Sequence, residues 1–206
     1  IADPIIPIYT SERFAEELEI FRKWVLQDLI GVTTLPFDDI TDFLVSTCDT
    51  QPKVTIHRDF HCRNLLLKPD GAIGAVDFQD ALVGPMSYDL ASILYDCYYQ
   101  FSNATISTSI AQYLQLAEEA GLSTTDDEGE FTRVLEITAV QRQLKAVGIF
   151  ARLKLQQDRG SHLENIVPVM GRVCELMMKH RELVPCAEWF KGSVLRPVRD
   201  AVGRLQ

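Results

Sequence analysis

The residues best suited to do chemistry lie between positions 57 and 77. His57-Arg58-Asp59 forms an HRD triplet, Asn64 stands five residues after Asp59, and Asp77 follows thirteen residues after Asn64. In phosphoryl transfer, an Asp in this setting accepts the proton of the attacking hydroxyl, while a later Asn and Asp supply oxygen ligands to Mg²⁺. We therefore expect Asp59 to be the catalytic base, and Asn64 and Asp77 to bind Mg²⁺.

Two further residues are expected to support this loop. His57 is predicted to be packed and hydrogen-bonded, because such a histidine is more often structural than a proton carrier. Asp89 begins an apolar stretch just after Gly84-Pro85. It is predicted to cap a helix, to accept hydrogen bonds from the backbone of the catalytic loop, or to do both.

The neighbours of Asp59 carry less information. Cys62 is expected to be inert, because a reactive thiol needs a lowered pKa that the sequence does not reveal. His61 is expected to pack against its surroundings. Arg63 either pairs with an acidic neighbour or steadies phosphate charge, and the sequence leaves both roles open.

The segment after Asp77 favours a small acceptor. Gln79 takes the place of the Gly in a DFG motif, Asp80 follows it, and only eleven residues separate Asp77 from Asp89. No APE motif is present, and the segment is too short to form an activation loop that docks a peptide. The acceptor is therefore predicted to be the hydroxyl of a small molecule and not of a protein.

A short β-structure is predicted to position these residues. Residues 54–56 form a strand that leads into the HRD turn, and residues 65–67 and 73–76 form a hairpin closed by Pro69-Asp70-Gly71. This hairpin places Asn64 at one end and Asp77 at the other, so both face one site.

Helices are predicted on both sides of the β-structure. The first begins at Ser11, a candidate N-cap, and runs to about residue 30 before Gly31, and the second opens at Pro36. The pattern predicts later helices over residues 89–101, 107–120 and 163–180, and a long helix whose apolar residues recur from 137 to 155. Pro185 and Pro197 are expected to break up the tail.

Composition excludes several classes of partner. The 206 residues include 20 basic and 29 acidic side chains, for a net charge of −9. This balance argues against nucleic acid or an anionic membrane surface as a partner, and no apolar stretch approaches the ~18 residues of a membrane span. Five cysteines without CxxC spacing predict reduced thiols in a cytoplasmic protein.

A nucleotide-covering lobe is not recognisable in this chain. Such a lobe needs a Gly-rich loop and a strand Lys for the phosphates of ATP. Before His57 the single glycine is Gly31, and neither Lys23 nor Lys53 lies in a VAIK-like strand. We therefore expect residues 1–10 to be a linker between lobes and residues 11–206 to be a carboxyl-terminal, acceptor-binding lobe, with the amino-terminal lobe absent from this chain.

The motifs HRDFHCRNLLL (57–67) and AVDFQDALVGPMSYDLASIL (75–94) resemble the aminoglycoside phosphotransferase and choline kinase superfamily, which shares the protein-kinase fold. Together with VQRQLKAVGIFAR (140–152), they are most similar to bacterial kinases that phosphorylate N-acetylmuramate and N-acetylglucosamine at the anomeric hydroxyl in cell-wall recycling. The resemblance extends over about residues 11–181. The chain departs from the commoner superfamily motif at Arg58, Cys62 and Arg63.

The resemblance implies an α+β fold, namely the mainly helical carboxyl-terminal lobe of a protein-kinase-like fold with a small β-hairpin that carries the catalytic and metal residues. It implies ATP as co-substrate, Mg²⁺ as cofactor, Asp59 as base, Asn64 and Asp77 as metal ligands, and Asp89 as the anchor of the catalytic loop. The partners would be a sugar acceptor and a nucleotide.

The resemblance also suggests contacts to the sugar. The candidates are Arg63, Gln79, Asp80 and the polar side chains Gln141, Arg142 and Lys145 of the long helix. N-acetylmuramate carries a lactyl carboxylate, for which Arg63, Arg142 and Arg152 are the candidate partners.

Two alternatives remain open at this point. One is an aminoglycoside kinase or another small-alcohol kinase, because a net charge of −9 suits a cationic aminoglycoside. The other is a non-catalytic binding module or an inactive fragment that retains the fold. The presence of Asp59, Asn64 and Asp77 argues against loss of catalysis.

Overall fold

A computed structural model describes residues 6–32, 36–122 and 127–206. Its helices are α1 (Ser11–Phe21), α2 (Asp38–Asp49), α3 (Tyr88–Leu94), α4 (Asn103–Glu119), α5 (Glu128–Gln157), α6 (Leu163–Met177), α7 (Val184–Trp189) and α8 (Leu195–Leu205). Its strands are β1 (Lys53–Ile56), β2 (Leu65–Leu67), β3 (Ile73–Ala75) and β4 (Leu82–Pro85). The described part of the chain is therefore mainly helical, with a small amount of β-structure that carries the loops of interest.

The strands form two antiparallel pairs. β1 pairs with β4, with Ile56 opposite Leu82, and β2 pairs with β3, with Leu65 opposite Ala75. The turn between β2 and β3 contains Gly71 at φ 83°, a conformation that glycine adopts without steric cost. The predicted hairpin is confirmed, but Asp59 lies in the loop between β1 and β2 and not on the hairpin itself.

Helix α5 is the centre of the fold. Its buried residues occur on all sides of the helix, and it packs against α1, α2, α3 and α6. A Cβ at Gly148 would lie 2.7 Å from the backbone nitrogen of Phe21, so only glycine permits this approach of α1 to α5. Polar residues of α5 that a surface helix would expose, including Gln141 and Arg142, are buried.

The first helix differs from the prediction at both ends. Thr10 and not Ser11 is the N-cap, because the Thr10 hydroxyl accepts a hydrogen bond from the Arg13 amide at 3.4 Å. The Ser11 hydroxyl instead donates to the Asp49 carboxylate at 2.5 Å. Beyond Phe21 the chain continues as a π-helical segment, Arg22–Gln27, before it turns at Gly31.

Helix α3 is much shorter than predicted. It ends at Leu94, whereas the apolar pattern suggested continuation to residue 101, because Tyr95 leaves the helical conformation with φ −113° and ψ 42°. The Asp96 carboxylate then accepts a hydrogen bond from the Tyr98 amide at 2.8 Å and stabilises a turn. The apolar residues after Leu94 therefore belong to a buried loop that reaches the site described below.

The later helices also correct some predicted boundaries. α4 begins at Asn103, before the predicted residue 107, because the Ser102 hydroxyl caps it by accepting from the Thr105 amide at 3.1 Å. Pro185 lies in the first turn of α7, where a missing N–H costs little, and Pro197 follows a π-helical segment, Phe190–Val194, that runs directly into α8, so the tail is helical and not broken.

The predicted linker is described only in part, because residues 1–5 lie outside the described residues. Ile8 forms a parallel bridge with Val83 of β4, and the Tyr9 amide donates to the Val83 carbonyl at 2.9 Å. The side chain of Tyr9 is buried beside Phe14 and Tyr88. The segment is thus extended and packed on β4, while its role between two lobes stays a prediction.

No helix within the described ranges combines the length and apolarity needed to cross a membrane.

Candidate active site

The loop that carries Asp59 connects β1 to β2. Arg58 adopts φ 74°, which is uncommon for a residue with a Cβ and is a feature of strained functional loops. A 3₁₀ turn, Cys62–Asn64, closes the loop, because the Asn64 amide donates to the His61 carbonyl at 2.9 Å. Asp59 is therefore presented between a strained residue and a tight turn.

Two carboxylates accept hydrogen bonds from the backbone of this loop. Asp89 accepts hydrogen bonds from the backbone amides of His57 at 2.6 Å and of Arg58 at 3.0 Å. Asp96, which is 1% exposed, accepts from the Cys62 amide at 2.8 Å. The backbone on both sides of Asp59 is thus fixed by a buried or half-buried acceptor.

Burial raises the pKa of Asp89, although the two amide hydrogen bonds from His57 and Arg58 act in the opposite direction. The contacts are those expected for a loop anchor. Asp96 was missed in the sequence because it falls inside a stretch that looked like continuous apolar helix. An acidic residue in such a stretch is the signal that could have found it.

The imidazole of His57 links the catalytic loop to the hairpin. Its Nε2 lies 2.9 Å from the carbonyl oxygen of Val76. Since a carbonyl only accepts, Nε2 carries the proton and donates. His57 therefore joins the HRD loop to the residue that immediately precedes Asp77, and its supporting role stays a prediction.

Asn64 and Asp77 meet at the end of the hairpin. The Val76 amide donates to the Asn64 carbonyl at 3.0 Å, so the two strands are in register up to these residues. The side-chain nitrogen of Asn64 donates to the Asp59 carbonyl at 3.0 Å, which leaves its Oδ1 free as a ligand. Asp77 adopts φ 70°, and its Oδ1 accepts from Gln79 at 2.6 Å.

This donor set fits Mg²⁺. Asn64 and Asp77 offer oxygen atoms, and Mg²⁺ is usually held by one or two protein ligands together with water and substrate phosphates. No cluster of three or more His, Cys, Asp and Glu residues in the described ranges could hold a metal ion. A cation at Asn64 and Asp77 would therefore need oxygens from a bound substrate to complete its coordination.

A buried charge network supports the side chain of Arg58. Glu17 of α1 lies 2.9 Å from the Arg58 guanidinium and 2.7 Å from the Lys145 ammonium of α5, and it also accepts from the Tyr9 hydroxyl. Burial raises the pKa of Glu17, but Lys145 and Arg58 outweigh it and hold that pKa below its usual value. α1, the catalytic loop and α5 are thus joined by paired charges.

The role of Glu17 could not be read from the sequence. It lies beside apolar positions of α1, and its partners are 41 and 128 residues away, as the numbering of Arg58 and Lys145 shows. No local pattern reports such distant contacts.

A cavity of about 280 Å³ opens beside Asp59. Helix α5, the loop after α3 and the start of α6 form its walls. The lining residues are Asp59, His61, Tyr88, Asp96, Cys97, Tyr98, Arg142, Lys145, Ala146, Ile149, Phe150, Leu153 and His162. The free carboxylate of Asp59 and several aromatic side chains line the cavity. Among the aromatic side chains, the Phe150 and His162 rings stack with centroids 4.8 Å apart.

The predicted sugar contacts are divided between two places. Arg142 lines the cavity, whereas Gln79 and Asp80 are exposed and lie outside it, next to Asp77. Arg63 lies at the rim, with its guanidinium carbon 3.7 Å from the centre of the Tyr98 ring and its NH1 3.3 Å from Nδ1 of His162. The structure thus places Arg63 on an aromatic neighbour and not on an acidic one.

The cysteines carry no sign of reactivity. All five are free. Burial and a hydrogen bond to Asp96 raise the pKa of the Cys62 thiol to about 11, so it is protonated at neutral pH. This agrees with the expectation that Cys62 is inert.

The fold and the site define a class. Protein-kinase-like phosphotransferases share one arrangement of residues. It consists of an anchored HRD loop, an Asn five residues after the Asp of that loop, and a later Asp at the end of a hairpin. The chain belongs to the Phosphotransferase enzyme family, whose family model matches residues 9–127. The predicted superfamily and the protein-kinase-like α+β fold class are thereby confirmed.

The chain is also similar to curated proteins named N-acetylmuramate/N-acetylglucosamine kinase. It is 34% identical over 187 residues to that of Neisseria meningitidis serogroup B, which covers 88% of this chain and 55% of the relative. The relative from Pseudomonas aeruginosa is 32% identical, over 86% of this chain and 53% of the relative. The relative from Pseudomonas putida is 28% identical, over 90% of this chain and 56% of the relative. The similarity inferred from the motifs is confirmed, and the chain spans about half the length of these relatives.

Proposed function

We propose that this chain is the acceptor-binding and catalytic lobe of an ATP- and Mg²⁺-dependent kinase of amino sugars. N-acetylmuramate and N-acetylglucosamine are the proposed acceptors, with the anomeric hydroxyl as the site of phosphorylation. The observation that carries the proposal is the position of Asp59, which faces a small cavity while Asn64 and Asp77 lie together just outside it. A cavity of about 280 Å³ is near the lower end for ligand pockets and suits one small molecule.

The chemistry follows from this arrangement. The acceptor hydroxyl lies in the cavity beside Asp59, and its oxygen attacks the γ-phosphorus of ATP. The new P–O bond forms as the bond to the bridging β-phosphate oxygen breaks, ADP leaves, and the hydroxyl proton passes to Asp59. Positioning and charge stabilisation supply most of the rate enhancement in such reactions.

The metal would be held by Asn64 and Asp77. Asn64 Oδ1 is free because its amide nitrogen is bound to the Asp59 carbonyl, which also fixes the ligand relative to the base. A Mg²⁺ ion there supplies positive charge to the phosphates. The proposal is supported by the oxygen chemistry of this pair and by the hydrogen bond that holds Asn64 to Asp59, which lines the cavity.

The proposal includes a nucleotide-covering amino-terminal lobe. Large apolar side chains are exposed on and after the hairpin, with Leu67 at 78% and Ile73 at 70% at its turn end and Phe78 at 67% next to Asp77. Exposed apolar surface of this kind marks an interaction site. Lys23 and Lys53 pair with Asp28 and Asp49, which leaves them unsuited to the ATP phosphates.

The alternatives have weaker support. A polycationic aminoglycoside in the cavity would be repelled by the buried guanidinium of Arg142, which has the same charge. A non-catalytic module has no need of a base and two metal ligands arranged around one cavity. A cytoplasmic location is part of the proposal and is supported by the free cysteines.

An assay of ADP release tests the proposal in the full-length protein that carries this chain. The panel is N-acetylmuramate, N-acetylglucosamine, kanamycin and choline, and phosphorus NMR identifies the product. We expect turnover with the two amino sugars and a phosphorus coupling to H1, which marks an anomeric phosphate. Turnover with kanamycin or choline alone would retain the family assignment and remove the sugar assignment.

The metal assignment has its own test. Asp77→Ala is expected to abolish Mg²⁺-dependent nucleotide binding in calorimetry, because a methyl group cannot replace a carboxylate ligand. Asp80→Ala, three residues later and exposed, is the control for the loss of one negative charge. Mg²⁺ titrations that do not differ between Asp77→Ala and the unmodified protein would exclude Asp77 as a ligand.

A further inference from the structure

A buried cation with no hydrogen-bond or ion-pair partner among the described residues lines the proposed acceptor cavity, and a charge that acts on it is that of the Asp89 carboxylate. Arg142 is 6% exposed, its Nε is buried without a hydrogen-bond partner, and its guanidinium forms no ion pair or hydrogen bond with any described residue. Leaving a charge buried and unpaired is strongly unfavourable. An arginine kept in this state on the wall of a cavity is suited to receive an anion from a ligand.

Two other charged groups of the cavity are already paired, and the free carboxylate of Asp59, being an anion, does not compete for an anionic ligand. Lys145 is paired with Glu17 at 2.7 Å, and both carboxylate oxygens of Asp96 accept backbone amides. Burial and the charge of Arg142 lower the pKa of His61, so that imidazole stays neutral and does not compete for an anion. Among the described lining residues, Arg142 is the cation that remains free.

An oxyanion at Arg142 has two sources in a kinase, the transferred phosphate or a carboxylate on the acceptor. The position of Arg142 favours the acceptor. Arg142 belongs to the cavity wall formed by α5, whereas Asn64 and Asp77, which would hold the phosphates through Mg²⁺, do not line the cavity. A guanidinium also matches a carboxylate with two parallel hydrogen bonds, a geometry that lysine does not provide.

We propose that Arg142 binds the lactyl carboxylate of N-acetylmuramate and so sets the preference for this sugar over N-acetylglucosamine, which lacks the carboxylate. This inference rests on the proposed function and deepens it. It selects Arg142 from the three arginines that the sequence left open. Arg63 is stacked on Tyr98 at the rim, and Arg152 does not line the cavity.

The test is calorimetric binding of the two sugars to the full-length protein that carries this chain. We expect Arg142→Gln to weaken binding of N-acetylmuramate by roughly 10- to 100-fold, the range for a lost charged hydrogen bond, and to change N-acetylglucosamine binding by less than about 3-fold. Arg152→Gln, on the same helix and away from the cavity, is the matched control. Equal weakening of both sugars by Arg142→Gln would overturn the inference.

A second arm needs no variant and therefore does not depend on the folding of Arg142→Gln. Conversion of the lactyl carboxylate to a carboxamide is expected to weaken binding to the unmodified full-length protein by a similar factor, and unchanged binding would overturn the inference. In the full-length protein, an increase in the KM for ATP with an unchanged sugar preference would assign Arg142 to the phosphate instead. Failure to bind either sugar would overturn the proposed function itself, and with it the inference, so the two failures are distinguishable.

Discussion

At the scale of single residues, the free carboxylate of Asp59 is the centre of the site. No described residue hydrogen-bonds it, and it faces the cavity, while its backbone carbonyl holds the side chain of Asn64 at 3.0 Å. Under the proposed function, one residue therefore supplies the proton acceptor and also positions a metal ligand. The side chain and the main chain of Asp59 have separate tasks, and a substitution at the side chain leaves the second task intact.

Asp59→Asn in the full-length protein is expected to lower kcat by roughly 10²- to 10⁴-fold, the usual contribution of a general base. The KM for ATP should change little, because the carboxylate meets the acceptor and not the nucleotide. Steady-state kinetics measures both parameters. Asp42→Asn, exposed on α2, is the control, and a loss below about tenfold in Asp59→Asn would assign the proton to another group.

At the scale of elements, the loops are held by contacts that come from distant helices. Asp89 of α3 and Asp96 in the following turn bind the backbone on either side of Asp59, and Glu17 of α1 binds Arg58. The catalytic loop is short, so its shape depends on these partners and not on its own hydrogen bonds. Loss of one of these partners is expected to change the conformation of the loop more than the packing of the core.

Asp89→Ala is expected to lower both stability and activity. It leaves the amides of His57 and Arg58 without their acceptor, at a cost of roughly 1–3 kcal/mol for each unpaired group. Thermal unfolding measures the first effect, and hydrogen exchange at the two amides shows whether the loop has opened. Asp200→Ala on the surface of α8 is the control, and a melting temperature equal to that of the unmodified chain would exclude the anchor role.

The charge network of Glu17 predicts a pH dependence. The pKa of Glu17 is lowered in the folded state, so its contribution to stability is fully present above the unfolded value of about 4.3 and is lost as the pH falls through the folded pKa. Glu17→Gln removes this dependence and leaves two partly buried cations, Arg58 and Lys145, without their carboxylate partner, at a cost of up to roughly 3–5 kcal/mol.

Urea unfolding between pH 3 and pH 7 measures the effect of Glu17→Gln. The control is Glu16→Gln, one residue earlier and exposed. A Glu17→Gln chain with the stability and acid sensitivity of the control would show that the network contributes nothing.

At the scale of the whole molecule, the sequence predicted the hairpin and the HRD loop that precedes it because both are local. An HRD triplet, a turn sequence and a strand pattern each lie within a few residues, and the structure has them where they were expected. The extent of α3 was wrong because apolar residues fill a buried loop as well as a helix, and a periodic pattern does not distinguish the two. Glu17 and Asp96 were missed because their partners are distant in the sequence. The sequence also could not show which of Gln141, Arg142 and Lys145 face the pocket, because polar residues on a helix are compatible with solvent as well as with a ligand.

The proposed division into lobes predicts the behaviour of this chain alone. It should bind the acceptor sugar, because the cavity is formed within the described residues, and it should release little ADP, because no Gly-rich loop or free strand Lys is available for the phosphates. Calorimetry with sugar and an assay of ADP release measure the two properties. Sugar-dependent ADP release at the rate of the full-length protein would refute the division.

The position of α5 has a consequence for how acceptor range can diverge among related proteins. The helix that presents Arg142 and Lys145 to the cavity also contributes more buried residues than any other described helix, so many replacements on it disturb packing as well as the pocket. Tyr98 and His162 line the same cavity from outside the regular part of a helix and are only half-buried. Substitutions that accommodate new acceptors are therefore expected to accumulate first at these two positions, while the α5 wall changes slowly.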